Sequence, residues 1–441
     1  MDVQHALHYQ QAVSVNNTSG VLEAPLYHIL SGSFRSVSLF LLAFSPSSRS
    51  LSHLQTVPAN GPHQYLAANQ LKDRVYTTSW ALPPSLSSWH VERSDSWRVT
   101  HINFVPITAT SSYIAVPPPF TRCYSVGGPT GESHVIDSDT GALGERLQQI
   151  LFIPEDQLET ADKTRVALRY GSHGIEFTPS SRYAFVPVLG TDSIEMYSHE
   201  LSSGQLSHIS SVGSPRGKNA KDGPRHVKIH PNGKVLYCVT EHTNFVDAYR
   251  ILPTTLEHIG SRSMLPQELR NSSESSSPLN SRDHFRGDTL MLPPSTSSKP
   301  SPELLITTTR GSTSNVRGWL SVFPLDEDGN FARVPPGDSG HEDIEAERFQ
   351  TPTSGGKANA IDIRPKSMGG DDTDGLWILL TDDDEDTASP SGGGAIRVLE
   401  WDGWGKGGLR VVSEWPTSTT DPTSEGHEDE IRGASHAIWL D

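Results

Sequence analysis

Short runs of alternating hydrophobic and polar residues recur along this chain, and two of them form an ungapped internal repeat. The segment HGIEFTPSSRYAFVPVLGTDSIEMY (173–197) aligns with RHVKIHPNGKVLYCVTEHTNFVDAY (225–249) at a constant offset of 52 residues. In each copy, three short alternating stretches are separated by turn signals, Thr-Pro-Ser-Ser or Pro-Asn-Gly and then Gly-Thr-Asp or His-Thr-Asn. The pattern therefore predicts a small antiparallel meander in each copy.

Weaker copies of the same template occur elsewhere in the chain, at 61–80, 287–310 and 359–384. The C-terminal stretch SHAIWLD matches only the opening strand of a copy, which indicates that the end of the chain completes a sheet begun near the N-terminus. Repeated meanders without helical patterns are typical of a β-propeller, and the length leaves room for about seven blades. We predict a single all-β domain over 1–441, a seven-bladed β-propeller closed by its C-terminal strand. An array of β-sandwiches is the alternative.

Four stretches do not fit the template and are predicted to be surface-loop insertions. They are Ser/Pro-rich or acidic and Gly-rich, and a segment of that composition cannot bury enough apolar surface to order itself. Their approximate ranges are 262–303, 325–350, 366–375 and 383–394.

Charge and cysteine content limit the partners and the compartment. A formal net charge of −17 argues against nucleic-acid and anionic-membrane partners, which require clustered Lys and Arg. The two cysteines, Cys123 and Cys238, form no zinc-binding or disulfide pattern. The N-terminus lacks a basic and apolar leader pattern, and the longest apolar run, SLFLLAF, is too short to span a bilayer. We expect a soluble cytoplasmic protein, with a monomer favoured and a dimer left open.

Polar residues occupy one equivalent position of the repeat. His173 and Arg225 both stand immediately before the alternation of a strand, and Asn359, His436 and His63 are assigned to the same position by extending the register. In a propeller, an equivalent position of each blade faces one end of the central channel, so these side chains are predicted to converge. Taken singly, each residue has a simpler interpretation as a capped or solvent-facing side chain.

Charged residues also end the second strands of three copies, at Glu241, Arg310 and Asp382, and could face the same channel mouth. Several other chemistries lack their motifs. There is no GxxxxGK[ST] phosphate loop, no GxSxG nucleophile turn, and the runs GHEDIEAE and GHEDEIR are not HExxH zinc sites. The remaining hypothesis is acid/base chemistry on an anion, with no metal and no cofactor required.

At these residues the sequence resembles the fungal 3-carboxy-cis,cis-muconate lactonizing enzymes, which are seven-bladed propellers related to the propeller-type 6-phosphogluconolactonases. The resemblance is carried by SHGIEFTPSSRYAFVPVLGTDSIEMY, GPRHVKIHPNGKVLYCVTEHTN, TTTRGSTSNVRGWLSVFPL, FQTPTSGGKANAI and HAIWLD. It covers most of the chain from residue 170 onward and is weaker over 27–130. GPRHxxxHPN is shared with the phosphogluconolactonase branch, whereas TPTSGG and the AIWLD ending look more like the cyclase branch.

The resemblance implies that His173, Arg225, Glu241 and Arg310 form the active site. One departure is Lys357, which stands after TPTSGG where the cyclases have a histidine, and the region 85–165 aligns poorly. These departures affect the choice of substrate more than the fold.

The implied reaction closes a di- or tricarboxylate to a lactone. Arginine suits the binding of carboxylates, so Arg225 and Arg310 are the predicted clamp, with Asn359 and His436 as further substrate-binding residues. The proton would come from His173 or Glu241, whose order the sequence leaves open. A lactonase acting on a sugar lactone or another small lactone, and a catalytically silent binding platform, are the two alternatives.

Overall fold

The computed structural model describes residues 25–62, 65–93, 96–270, 284–297, 299–333, 345–366, 375–384, 394–416 and 431–441. These residues form seven four-stranded antiparallel sheets, which are the blades of a β-propeller. The predicted all-β, seven-bladed fold is confirmed. No helix within the described ranges is long and apolar enough to cross a membrane.

Blades 1 to 4 are built from strands β1 to β15, with β28 added to blade 1. Blade 1 comprises β28 (Ala434–Trp439), β1 (Tyr27–Ser33), β2 (Ser38–Ser45) and β3 (Ser50–Pro58). Blade 2 comprises β4 (Leu66–Ala68), β5 (Arg74–Ser79), β6 (Ser85–Glu92) and β7 (Arg98–Pro106). Blade 3 comprises β8 (Ser111–Ala115), β9 (Arg122–Gly127), β10 (Thr130–Ile136) and β11 (Leu143–Leu151). Blade 4 comprises β12 (Glu176–Phe177), β13 (Tyr183–Val188), β14 (Ser193–Glu200) and β15 (Gln205–Gly213).

Blades 5 to 7 continue the ring in chain order. Blade 5 comprises β16 (Pro224–Ile229), β17 (Val235–Thr240), β18 (Phe245–Ile251) and β19 (Leu256–Ser263). Blade 6 comprises β20 (Phe285–Met291), β21 (Leu304–Gly311), β22 (Trp319–Pro324) and β23 (Glu347–Gln350). Blade 7 comprises β24 (Ile361–Pro365), β25 (Leu376–Asp382), β26 (Ala395–Trp401) and β27 (Arg410–Trp415). In the part of the chain that the structure describes, the helical segments are two 3₁₀ helices, Glu155–Gln157 and Arg165–Arg169, and α1 (Gln267–Arg270).

The C-terminal strand closes the ring as the sequence predicts. Strand β28 pairs antiparallel with β1, with Leu30 opposite Ile438, and becomes the innermost strand of blade 1. Lys72 Nζ and Arg364 Nη1 donate to the Asp441 carbonyl oxygen at 3.0 and 2.9 Å. The last residue is therefore held by side chains of blades 2 and 7, on either side of the blade that it completes.

The ungapped repeat is reproduced in backbone conformation. Ser181 (φ 52°) and Gly233 (φ 71°) are both left-handed, as are Asp192 (φ 53°) and Asn244 (φ 57°), and each pair is separated by the same 52 residues. Small or Asx residues suit these conformations because the left-handed region is strained for larger side chains. The turn signals read from the sequence thus mark the same two turns in blades 4 and 5.

The hydrophobic core lies between neighbouring blades. One cluster combines Tyr237 and Val246 of blade 5 with Leu305 and Phe323 of blade 6, all of them fully buried. Each blade therefore covers the apolar face of its neighbour, and burial at roughly 25 cal/mol per Å² stabilises the closed ring rather than the isolated meander.

Two of the ranges assigned to insertions are too wide. Strand β20 lies inside 262–303 and β23 lies inside 325–350, and both belong to blade 6. Ser/Pro-rich and acidic neighbours dilute the alternation of these short strands, so the composition of the whole stretch concealed them. Most of 366–375 and 383–394 falls outside the described residues.

Candidate active site

The innermost strands of the seven blades line the channel in register. Each has a core residue that is at most 2% exposed, namely Leu66, Ile114, Ile175, Val227, Leu290, Ile361 and Ala437. In each blade, the residue two positions before this core residue belongs to what we call the upper ring. Its described members are Ser112, His173, Arg225, Asp288, Asn359 and Ser435. The seventh position, Gln64, lies outside the described residues. The residue one position after the core residue belongs to what we call the lower ring. Its members are Ala67, Ala115, Glu176, Lys228, Met291, Asp362 and Ile438.

The two rings face different cavities. Five of the six described upper-ring residues line a pocket at one end of the channel, whose volume is about 820 Å³ when the solvent-open region at its mouth is included. All seven lower-ring residues line a chamber at the other end. Tyr65 lines both cavities, and its ring stacks on His436 with centroids 3.8 Å apart. The pocket at the upper ring is the candidate active site.

Four charged side chains form a closed network on one side of this pocket. Arg225 Nε lies 3.1 Å from Glu241 Oε2, and Arg225 Nη1 lies 2.8 Å from Asp288 Oδ1. Arg310 contacts the same two carboxylates, through Nη2 to Glu241 Oε1 at 3.3 Å and through Nε to Asp288 Oδ1 at 3.6 Å. Arg225 Nη2 makes no hydrogen bond with a described residue. The network thus fixes both arginines and leaves a donor of Arg225 available to an anion in the pocket.

Asp288 anchors this network and was not singled out by the sequence analysis. Its side chain is 1% exposed, and Oδ2 accepts the backbone N–H of Asn359 at 2.6 Å. Arg225 Nη1 also donates to the Asp288 carbonyl oxygen at 2.5 Å. The residue lies on β20, within the stretch 262–303 that the sequence assigned to an insertion, although counting back from Leu290 would have found it.

Replacing Asp288 by alanine is expected to lower the free energy of unfolding by about 3 to 5 kcal/mol, because it leaves the buried Arg225 without its nearest counter-ion. Urea denaturation measures this change. Glu257→Ala is the matched control, since its 2.6 Å pair with Arg250 is half exposed at both partners and should cost less than about 1 kcal/mol. Equal losses in the two variants would contradict this role for Asp288.

Glu241 is ionised in this pocket. Burial acts to raise its pKa, but the charges of Arg310 and Arg225 outweigh that effect and lower the pKa to about 2. The carboxylate follows directly after β17, at the end of the strand, which places it between the two guanidinium groups.

His173 is neutral, and its tautomer is set by its neighbour. The Nε2 atom lies 2.9 Å from the carbonyl oxygen of Leu168, which can only accept, so Nε2 carries the proton. Burial and then the charge of Arg225 lower the His173 pKa to about 3. The pocket therefore contains an imidazole whose Nδ1 is unprotonated.

Acid should destabilise the protein because three histidines that line the channel cavities stay neutral. Burial lowers the pKa of His173 and His436 to about 3 and that of His226 well below its usual value. In the unfolded chain each takes up a proton near pH 6.5, so stability is fully present above that pH and falls as the pH drops towards 3. The expected loss is about 1.4 kcal/mol per pH unit for each histidine.

Urea midpoints at pH 7.5, 6 and 5 test this expectation. The midpoint should drop steeply below pH 6.5, and His436→Gln should make that drop less steep. A midpoint that stays constant between pH 7.5 and 5 would contradict the neutral assignment of these histidines.

Three further cations line the pocket outside the network. Lys357 is held by Asp383 at 2.8 Å, and Arg165 and Arg169 project from the 3₁₀ helix before β12. The lining therefore carries five cationic side chains and two carboxylates, in a chain whose formal net charge is −17. The lining thus has an excess of positive charge, which favours the approach of anions. Arg165 and Arg169 were missed because their segment lies outside the repeat.

The structure brings together four of the six site residues predicted from sequence: His173, Arg225, Glu241 and Arg310. Asn359 belongs to the upper ring, but its Nδ2 donates to the Thr309 carbonyl oxygen at 2.9 Å and its side chain does not line the pocket. His436 lies one position further along, where its Nδ1 accepts the Leu66 N–H at 3.1 Å and its ring lines the chamber at the other end.

The position of His436 corrects the register that was assumed for the last strand. Ser435 is the true equivalent of Arg225 and lines the pocket, and a slip of one residue moves a side chain to the other face of a strand. Asp382 is also away from the pocket, paired with Arg397 and Thr353. His63 falls outside the described residues.

Comparison with known proteins identifies a family and several enzymes. Residues 29–283 match the family described as "Lactonase, 7-bladed beta-propeller". Muconate cycloisomerase 1 of Cutaneotrichosporon cutaneum is 28% identical over 399 residues, which is 89% of this chain and 95% of that protein. The carboxy-cis,cis-muconate cyclase of Neurospora crassa is 27% identical over 234 residues, 52% of this chain and 53% of that protein. The 6-phosphogluconolactonase of Pectobacterium carotovorum is 31% identical over 115 residues, 25% of this chain and 28% of that protein.

Solved structures share the propeller architecture. The periplasmic gluconolactonase of Pseudomonas aeruginosa superimposes with a TM-score of 0.66 at 15% identity, covering 95% of this chain and 99% of that one. A protein from Lactobacillus plantarum superimposes with a TM-score of 0.62 at 16% identity, covering 95% and 100%. At these identities the likeness establishes the fold alone.

Proposed function

Because the chain belongs to the lactonase family of seven-bladed β-propellers, we propose that it is a lactonizing cycloisomerase that closes a carboxylated cis,cis-muconate to a muconolactone. The observation that carries the proposal is the pocket itself, in which two fixed arginines stand beside a neutral histidine. The names of the Cutaneotrichosporon and Neurospora relatives support the same reaction class.

The reaction conserves atoms within the substrate and takes up one proton. An oxygen of one carboxylate forms a C–O bond to a diene carbon, the π electrons of that double bond move towards the neighbouring carbon, and a proton bonds to that carbon. Arg225 and Arg310 bind the substrate carboxylates and stabilise the negative charge that develops beside the reacting carbon. Holding the attacking oxygen near its target contributes several kcal/mol to lowering the barrier.

His173 is the proposed proton donor. In the free pocket both His173 and Glu241 are deprotonated near neutral pH, since their pKa values are lowered to about 3 and about 2. A bound polyanion offsets the charge of Arg225, which is the second cause of the lowered His173 pKa, and so favours the imidazolium. Nδ1 then carries the proton to be transferred, while Nε2 remains bonded to Leu168 and Glu241 remains paired with the arginines.

A lactonase is the second candidate. The family name and the 6-phosphogluconolactonase relative favour it, and the unprotonated Nδ1 of His173 could accept a proton from an attacking water. Water would attack the lactone carbonyl carbon and open the ring to a hydroxy acid, which is not the reverse of adding a carboxylate to a double bond. Both reactions nevertheless develop negative charge that the same arginines could bind. A propeller without turnover remains the third hypothesis, because function does not follow from fold.

The sign of the proton balance distinguishes the candidates. At neutral pH the cyclization consumes one proton per turnover because a carboxylate becomes an ester, whereas lactone hydrolysis releases one. Purified, chelator-treated protein is mixed in weak buffer with 3-carboxy-cis,cis-muconate, and separately with 6-phosphogluconolactone, while a pH indicator and the diene absorbance are recorded. Alkalinization with diene loss supports the proposal. Acidification with the lactone alone supports the lactonase, and silence with both supports a binding platform.

A further inference from the structure

We propose that Arg165 and Arg169 form a separate carboxylate-binding subsite at the pocket mouth, which makes the enzyme selective for a substrate with a third carboxylate. This inference rests on the proposed function and extends it to residues outside the repeat. The two arginines begin and end the 3₁₀ helix Arg165–Arg169, and both line the pocket that holds the arginine–carboxylate network.

The helix is firmly seated beside the network. Ala167 is fully buried and Leu168 is 5% exposed, and an added Cβ on Gly128 would come within 2.8 Å of the Ala167 Cβ. The Thr110 N–H donates to the Lys163 carbonyl oxygen at 2.9 Å, and the Leu168 carbonyl oxygen accepts the proton of His173 Nε2. The exposed arginines are thus attached to a rigid turn that also orients the proposed proton donor.

These two arginines differ from Arg225 and Arg310, which we call the inner arginines, in whether a protein carboxylate compensates their charge. Arg225 and Arg310 already share two protein carboxylates, Glu241 and Asp288. Arg165 and Arg169 form no ion pair with any carboxylate that the structure describes. Arg165 instead lies over the Trp80 ring at 5.5 Å, a contact that orients the guanidinium without neutralising it. Among the described residues, the pocket mouth therefore has two positive charges that no carboxylate pairs with.

A third substrate carboxylate is the anion that fits this position. In the proposed mechanism, the inner arginines bind two substrate carboxylates. One is the carboxylate that attacks the double bond, and the other is attached to the carbon that is protonated. A third carboxylate must therefore be bound elsewhere. Arg165 and Arg169 are placed to bind it at the mouth, where planar guanidinium groups suit a carboxylate. Ordinary solvated surface arginines would show no such preference, and that difference is testable.

The test compares two dienes that differ by one carboxylate, 3-carboxy-cis,cis-muconate and cis,cis-muconate. The variant Arg165→Gln/Arg169→Gln should lose about 100-fold in kcat/KM for the tricarboxylate and less than about threefold for the dicarboxylate, consistent with the loss of two charge-assisted contacts. Arg98→Gln, an exposed arginine on β7, is the control for the loss of a surface charge and should change neither value. Equal effects of the double variant on both dienes, or no effect, would overturn the inference.

A binding measurement keeps this test independent of turnover. Calorimetry with propane-1,2,3-tricarboxylate and with glutarate should show a preference for the tricarboxylate in the wild type that the double variant loses. If the wild type cyclizes neither diene but shows this preference, the proposed function fails while the subsite stands. If the dienes are cyclized but the double variant keeps the preference, the subsite fails while the proposed function stands.

Discussion

Replacing Arg225 by alanine should lower kcat/KM for the carboxylated diene about a thousandfold. Arg225 is at the centre of the network, touching Glu241 and Asp288 and presenting Nη2 to the pocket. Loss of two charge-assisted contacts of roughly 2 kcal/mol each gives a factor of this size. The measurement is the initial rate of diene loss over a range of substrate concentrations.

Arg225→Lys separates charge from geometry. Lysine keeps the positive charge but lacks the planar fork, so its activity should fall between those of the wild type and the alanine variant. Thermal midpoints of both variants show whether the fold persists, because Asp288 loses its nearest ion-pair partner in the alanine variant. A folded Arg225→Ala protein with wild-type kcat/KM would exclude Arg225 from the substrate site.

Replacing His173 by glutamine should lower kcat by 10² to 10⁴, the range typical for the loss of a general acid, with KM changed less than about threefold. The glutamine amide can still donate to the Leu168 carbonyl oxygen, so the turn Arg165–Arg169 keeps its anchor. The result is read as separate kcat and KM values for the diene.

His208→Gln is the matched control for His173, because His208 lies on the outermost strand β15, half exposed and paired with Glu195. It should retain wild-type kcat. If His173→Gln also retained wild-type kcat, the proton would have to come from another group, and Glu241 would be the first to examine.

The ungapped repeat made the fold readable from sequence. Blades 4 and 5 keep the same spacing of turns, with Ser181 and Asp192 matching Gly233 and Asn244. One copy of the repeat therefore predicted the meander, and the number of copies along the chain predicted the ring. The terminal strand β28 was recognisable because its alternation survives in SHAIWLD. The boundaries of blade 6 were not readable because its inner and outer strands adjoin Ser/Pro-rich and acidic stretches.

The site was predictable only where the repeat was regular. His173, Arg225, Glu241 and Arg310 lie in or beside well-preserved copies, and the structure gathers them in one pocket. His436 was placed one residue out of register because a short terminal strand offers no second turn to fix the alignment. Arg165 and Arg169 stand on a non-repeating 3₁₀ helix, and no alternation pattern connects such a segment to the channel.

The most direct test of the central claim is the reaction of the wild-type protein with 3-carboxy-cis,cis-muconate in D₂O, followed by NMR of the product. The lactonizing mechanism predicts one muconolactone that carries one deuterium, at the carbon next to the new C–O bond and on a single face, because the proton comes from an exchangeable side chain. Recovery of the unchanged diene, or a lactone with deuterium on both faces at the rate seen without protein, would contradict the account.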